Sequence, residues 1–142
     1  MQVLDVIPGP AEAWCSSRRV PTKGKQMFTT YMAVTVVTIA ANAGIAVADF
    51  ARATFVLANS AEVGVPRSWL VRLATLKAAG ALGLLLGLLG ARSIGVAAAI
   101  GLVLFFIGAL AAHVRARVYY NIAFPGGYLV LALASLALAV AR

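Results

Sequence analysis

Four long apolar stretches, separated by short polar ones, dominate the chain. They fall at about residues 29–48 ("TTYMAVTVVTIAANAGIAVA"), 70–89, 93–113 and 124–141. Each is near the ~20 residues that a helix rising 1.5 Å per residue needs to cross ~30 Å of hydrocarbon. None alternates in polarity as a barrel strand does, and lipid cannot satisfy a free backbone, so helices are the expected solution. The pattern predicts an all-α membrane protein, a four-transmembrane-helix antiparallel bundle spanning residues 27–142.

The connections refine this picture. Only "GARS" separates the second and third stretches, which is too short for anything but an antiparallel hairpin. Between the first and second lies "DFARATFVLANSAEVGVPRSW", where Phe50, Phe55, Val56 and Leu57 are interleaved with Asp49, Arg52, Asn59 and Glu62. This predicts a short interfacial helix ended by Gly64 and Pro66. Asp49 and Arg52, three apart, are placed to pair on it. The last connection, "VRARVYYNIAFPGG", has the arginines and tyrosines of an interfacial belt.

Composition agrees with a bilayer setting. The chain of 142 residues is 63% hydrophobic and 11% charged, with a net charge of +8, whereas soluble domains are roughly half apolar and a quarter charged. Arg18, Arg19, Lys23 and Lys25 crowd ahead of the first stretch, and most other basic residues flank stretch ends, where topology signals and anionic-lipid contacts belong. No basic stripe interleaved with aromatics appears, so nucleic acid is not an expected partner. Residues 1–26 lack the apolar core of a secretory signal and read as a flexible basic tail, with Met27 as an alternative start. The single cysteine, Cys15, lies in that tail, so no disulfide can form within the chain. Counting basic residues at the stretch ends favours both termini in the cytoplasm.

Polar residues inside the stretches are the candidate chemistry. Tyr31, Thr35, Thr38, Asn42 and Asp49 recur at helical spacing on one narrow face, which should turn into the bundle. There the threonines either bond their own helix and Asn42 bonds a neighbour, or the face lines a polar cavity that holds a ligand. Lys77 lies about 7–10 Å from the start of its stretch, counted at 1.5 Å per residue. It either snorkels to the headgroups or turns inward to Asn42, Asp49 or a ligand oxygen. Gly80, Gly83, Gly87 and Gly90 mark one side of the second helix, and Ala97, Gly101, Gly108 and Ala112 a smaller stripe on the third. Such small residues let helix backbones approach closely. His113 opens "HVRAR", and with Arg115 and Arg117 it suits an electropositive rim for an anionic group or a quinone carbonyl. One histidine and no cysteine within the stretches leave no protein-only metal centre, and no grouping suggests a hydrolase.

The segments "NSAEVGVPRSWL", "LKAAGALGLLLGLLG", "IGVAAAIGLVLFFIGALAAHVRAR" and "NIAFPGGYLVLALASLAL" resemble the DoxX-like family of small four-helix bacterial membrane proteins. The resemblance runs from Met27 to Val140. Its motifs are a Gly-Val-Pro before the second helix, an acidic residue or lysine before Gly-Ala-x-Gly-Leu, a histidine closing the third helix and a proline before the fourth. By position it implies Gly64, Pro66, Lys77, Gly80, Gly83, His113, Arg115 and Pro125 as matching sites. Lys77 stands where many relatives have glutamate. The namesake proteins are associated with a thiosulfate:quinone oxidoreductase, and relatives with membrane redox complexes, detoxification or assembly of other membrane proteins.

The leading expectation is a redox-associated membrane subunit holding a quinone or other lipophilic molecule between its helices, with Thr38, Asn42, Asp49, Lys77, His113 and Arg115 as candidate ligand-binding residues. The chain supplies no cofactor of its own, and a partner protein would supply electrons. The alternative is a non-catalytic assembly or partner subunit docking another membrane protein, or a second copy, through Gly80, Gly83, Gly87, Gly101 and Gly108. A small proton-driven transporter fits less well, since no carboxylate lies at mid-depth in any stretch.

Overall fold

The computed structural model describes residues 23–142, and all of its regular structure is helical. Five helices follow one another: α1 (Lys23–Phe50), α2 (Thr54–Glu62), α3 (Arg67–Leu88), α4 (Arg92–Arg115) and α5 (Ala123–Ala141). All except α2 are long and apolar enough to cross a membrane. Of the tail expected over residues 1–26, Lys23–Gln26 form the first turn of α1. Cys15, Arg18 and Arg19 lie outside the described residues.

The four long helices form a ring in which α1 packs on α3 and α5, and α4 on α3 and α5, so every neighbouring pair is antiparallel. The polar face of α1 turns inward as its spacing predicts: Tyr31, Thr35, Thr38, Asn42 and Asp49 are all buried. Large apolar side chains such as Val36, Leu82, Leu104, Ile107 and Val130 are exposed on the outside, where acyl chains would meet them. Thr38 donates to the Val34 carbonyl at 2.8 Å, which leaves its oxygen to accept from Ser135 on α5 at 2.8 Å. Asn42 donates to the Thr38 carbonyl at 2.9 Å.

Four helices end in the same way. In each, an N–H reaches back five residues to a carbonyl: Ala53 to Ala48, Val65 to Ser60, Ala91 to Leu86 and Val118 to His113, at 2.8–3.0 Å. The residue before each donor has positive φ: Arg52 (52°), Gly64 (72°), Gly90 (117°) and Arg117 (58°). This closure satisfies carbonyls that a helix end leaves free. Glycine adopts the required conformation without strain, whereas arginine does so at a cost of ~1–2 kcal/mol, partly offset by its favourable charge at a helix C-terminus. The helix boundary also revises one expectation. α1 continues through Asp49 to Phe50, so Asp49 belongs to the first span rather than to the interfacial helix. The anticipated Asp49–Arg52 pair is replaced by one between Asp49 and Lys77 on α3.

The α3–α4 hairpin is held by backbone proximity. A Cβ added to Gly87 would stand 2.6 Å from the Gly95 Cα, and one on Gly83 would stand 2.5 Å from the Ala98 Cβ. One on Gly80 would strike the end of the Leu102 side chain at 2.5 Å. Gly80, Gly83 and Gly87 therefore mark a helix contact. Gly101 and Gly108 do not: both are exposed, and a Cβ on either would meet nothing within 4 Å. The α4 side of the contact is formed instead by Gly95 and Ala98, about 100° around the helix from the expected stripe.

Gly87→Ala and Gly95→Ala should each destabilise the bundle by about 1–3 kcal/mol, the usual penalty for overpacking. Gly101→Ala and Gly108→Ala should be neutral or stabilise by up to about 1 kcal/mol, as helical glycine gives way to alanine. Reversible unfolding in mixed detergent micelles measures both, and equal losses at all four positions would contradict the assignment.

Candidate functional site

At the end of the ring remote from the α3–α4 turn, a cavity of about 540 Å³ lies beneath α2. This lies within the ~300–1,000 Å³ of small-molecule sites. Its wall is mainly aliphatic and aromatic: Ile45 from α1, Phe55 and Val56 from α2, Trp69, Leu70 and Leu73 from α3, Phe105, Phe106 and Ala109 from α4, and Phe124 and Tyr128 from α5. Into this apolar shell come a few polar groups, chiefly Asp49, Lys77, His113, Asn59 and Asn121.

Asp49 and Lys77 form the electrostatic centre of the wall. The Lys77 Nζ donates to Asp49 Oδ2 at 2.7 Å, with the two side chains only 13% and 4% exposed. Helix direction brings them together. Side chains lean toward the N-terminus of their own helix, so on antiparallel α1 and α3 these two lean toward each other. Lys77 lies ten residues into α3, about 15 Å along its axis, and its ammonium is also 5.5 Å from the Phe105 ring centre. Asp49 sits in the last turn of α1, where the helix dipole disfavours a carboxylate, so the lysine offsets both that and the loss of solvent. Of the alternatives open for Lys77, the structure shows the inward one, with Asp49 as acceptor.

His113 is buried in the last turn of α4. Its Nδ1 lies 2.9 Å from the Ala109 carbonyl, while Nε2 is buried with no hydrogen-bond partner. Arg115 and Arg117, expected to form a rim with it, are exposed and off the cavity wall. Thr38 and Asn42 are also off the wall, deeper in the bundle, where Thr38 and Ser135 join α1 to α5. The structure thus brings Asp49, Lys77 and His113 to one cavity and separates Thr38, Asn42 and Arg115 from it. Among the described residues no three His, Cys, Asp or Glu side chains cluster to hold a metal.

The lid over the cavity is latched by residues that sequence reasoning did not select. Asn121 donates to Asn59 at 2.6 Å, and Tyr120 donates to Glu62, so the end of α2 is tied to the α4–α5 connection. Separations of 62 and 58 residues carry no local signal of either pairing. The hydrogen bond to Glu62 holds the Tyr120 phenol above its ordinary pKa. A raised pKa means that the contact is intact below the unfolded tyrosine value near 10 and is lost only as pH climbs through the higher folded value.

Removing one member of the ion pair leaves an uncompensated buried charge. Lys77→Met or Asp49→Leu alone should therefore cost about 3–5 kcal/mol, while the double substitution should recover most of that loss. Equilibrium unfolding of the three variants in micelles measures this coupling, and additive losses would contradict it.

Comparison with curated proteins found no match, and neither did comparison with solved structures. A family profile matches residues 33–135, which covers all but the ends of the ring just described. With four membrane-spanning helices around an amphipathic cavity, the chain is a multi-pass integral membrane protein and belongs to the DoxX-like family.

Proposed function

We propose that the chain is a redox-associated membrane subunit that holds a quinone or other lipophilic molecule in the cavity beneath α2, with electrons supplied by a partner protein. The observation that carries this reading is the composition of the wall: an aromatic and aliphatic shell of ligand size, broken by the Asp49–Lys77 pair and His113. Such a shell suits a ring or isoprenoid body, and a small set of polar groups is what orients a ligand head. Lys77 has N–H groups beyond the one given to Asp49, and these can donate to a head oxygen. The site belongs, in this proposal, to a bacterial inner-membrane protein with cytoplasmic termini. Lys23, Lys25, Arg92 and Arg142 gather at the end of the bundle opposite the cavity, and that end would face the cytoplasm. The cavity would then open near the outer leaflet.

A second reading is a non-catalytic docking subunit. The exposed face of α4 carries Ala97 and Gly101, with open space at the glycine, which suits close approach by a helix of another membrane protein.

Native mass spectrometry from lipid nanodiscs should show a retained small molecule or saturable uptake of a short-chain benzoquinone. Filling the cavity by Ala109→Phe should abolish it. Absence of any bound molecule in the unmodified chain, with Ala97→Leu and Gly101→Leu stripping a co-purifying membrane protein, would replace the first reading by the second.

A further inference from the structure

The element that covers the cavity, α2, is also the least anchored in the fold. Its nine residues are fewer than the ~12–15 that an isolated helix needs to sustain itself, and its start has no side-chain cap. It packs chiefly on α3, and Val56 is its one buried residue. Val56, Asn59, Ser60 and Val63 share the face turned to the cavity. On either side of α2 the chain bends through a residue of positive φ, Arg52 and Gly64. A few residues at the ends of an element are what absorb the backbone rotation of a hinge. Two latches tie α2 to the α4–α5 connection, Asn121 donating to Asn59 and Tyr120 to Glu62.

The rim of the cavity faces lipid. Phe55, Trp69 and Phe124 line it and are each about half exposed, so the rim is aromatic and continuous with the surface that meets acyl chains. A lid face that lifts there passes from protein to the apolar edge of the bilayer, not to water. Opening therefore sacrifices little hydrophobic burial, and the latches set how often it occurs.

We propose that α2 is a lid hinged at Arg52 and Gly64, and that its opening admits a lipophilic molecule to the cavity from the surrounding bilayer. The admission step rests on the reading that the cavity holds such a molecule, whereas the motion of the lid does not. One hydrogen bond is worth a factor of about 2 to 10 in an equilibrium. Removing one latch should raise the open fraction by that factor.

The test is thiol labelling of the full chain in lipid nanodiscs, in a Cys15→Ser background that has no other thiol. Val56→Cys should react slowly with N-ethylmaleimide, and adding Asn121→Ala or Tyr120→Phe should speed the reaction by about 2- to 10-fold. Ala74→Cys, at a fully buried position of α3 off the cavity wall, should stay protected in every background. Unchanged Val56→Cys labelling after loss of both latches, or parallel labelling of Ala74→Cys, would overturn the lid. Should Val56→Cys fail to fold, backbone hydrogen exchange decides the matter: Asn121→Ala should speed exchange in α2 and leave the four spans as they were, and no change in α2 would refute the motion. Entry is tested separately with Asn59→Cys and Asn121→Cys bridged by dibromobimane. The bridge should stop the uptake and release of a decyl benzoquinone that the unbridged protein carries out. Equal exchange with and without the bridge would overturn α2 as the entry route. No saturable quinone uptake by any form would remove the cavity reading and the entry step together, while the labelling result still decides whether the lid moves.

Discussion

Hydrocarbon offers no hydrogen bonds, and this one constraint arranges the molecule. Each polar side chain within a span must find a protein partner or face a protected interior. The buried row on α1 from Tyr31 to Asp49 follows from it, and so does the meeting of Asp49 with Lys77. Two charges that would be prohibitive apart become tolerable at 2.7 Å. Once α1 and α3 are joined by that pair, the apolar surfaces of all four long helices are free to face outward. Polar contacts between membrane helices contribute modestly, averaging about 0.6 kcal/mol. The Thr38–Ser135 contact therefore helps to set which face of α1 meets α5, while close packing holds the bundle together.

Much of this was legible in the chain. Stretch lengths gave four spans because a bilayer has a fixed thickness, and the four-residue link required an antiparallel hairpin. The inward face of α1 could be read from the 3.6-residue period, since misplacing Asn42 or Asp49 into lipid would be costly. Gly83 and Gly87 announced a close helix contact through their spacing alone. The helix-closing role of Gly64 was equally readable, whereas Gly90, expected in the packing stripe of α3, lies past its end in the positive-φ turn, where an added Cβ would meet nothing within 4 Å.

Other features depend on information the sequence holds only jointly. Lys77 could be placed near a span end, but its choice of Asp49 over headgroups depends on the relative height of α1 and α3, which no local pattern states. On α4 several small residues compete for the contact face. Gly95 and Ala98 win because the α3–α4 turn at Gly90 sets their register, leaving Gly101 on the outer face and Gly108 at the cavity wall. Arg52 and Arg117 close helices in a conformation usually assigned to glycine, so neither position advertised itself. The cavity was foreseen only as an unspecified polar space. Thr38 and Asn42 share the α1 face with Asp49 but lie at a different depth, and depth, rather than face, decides which residues reach the cavity.

The pinch between Gly87 and Gly95 has a consequence at the far end of the same two helices. A bulkier atom at that contact would tilt one stiff rod against the other as a lever tilts, and the displacement would be felt where Leu70 to Lys77 and Phe105 to His113 line the cavity. The volume beneath α2 is thus governed partly by atoms that never touch its contents, and relatives could retune the size of their guest at the pivot while every wall residue stayed the same.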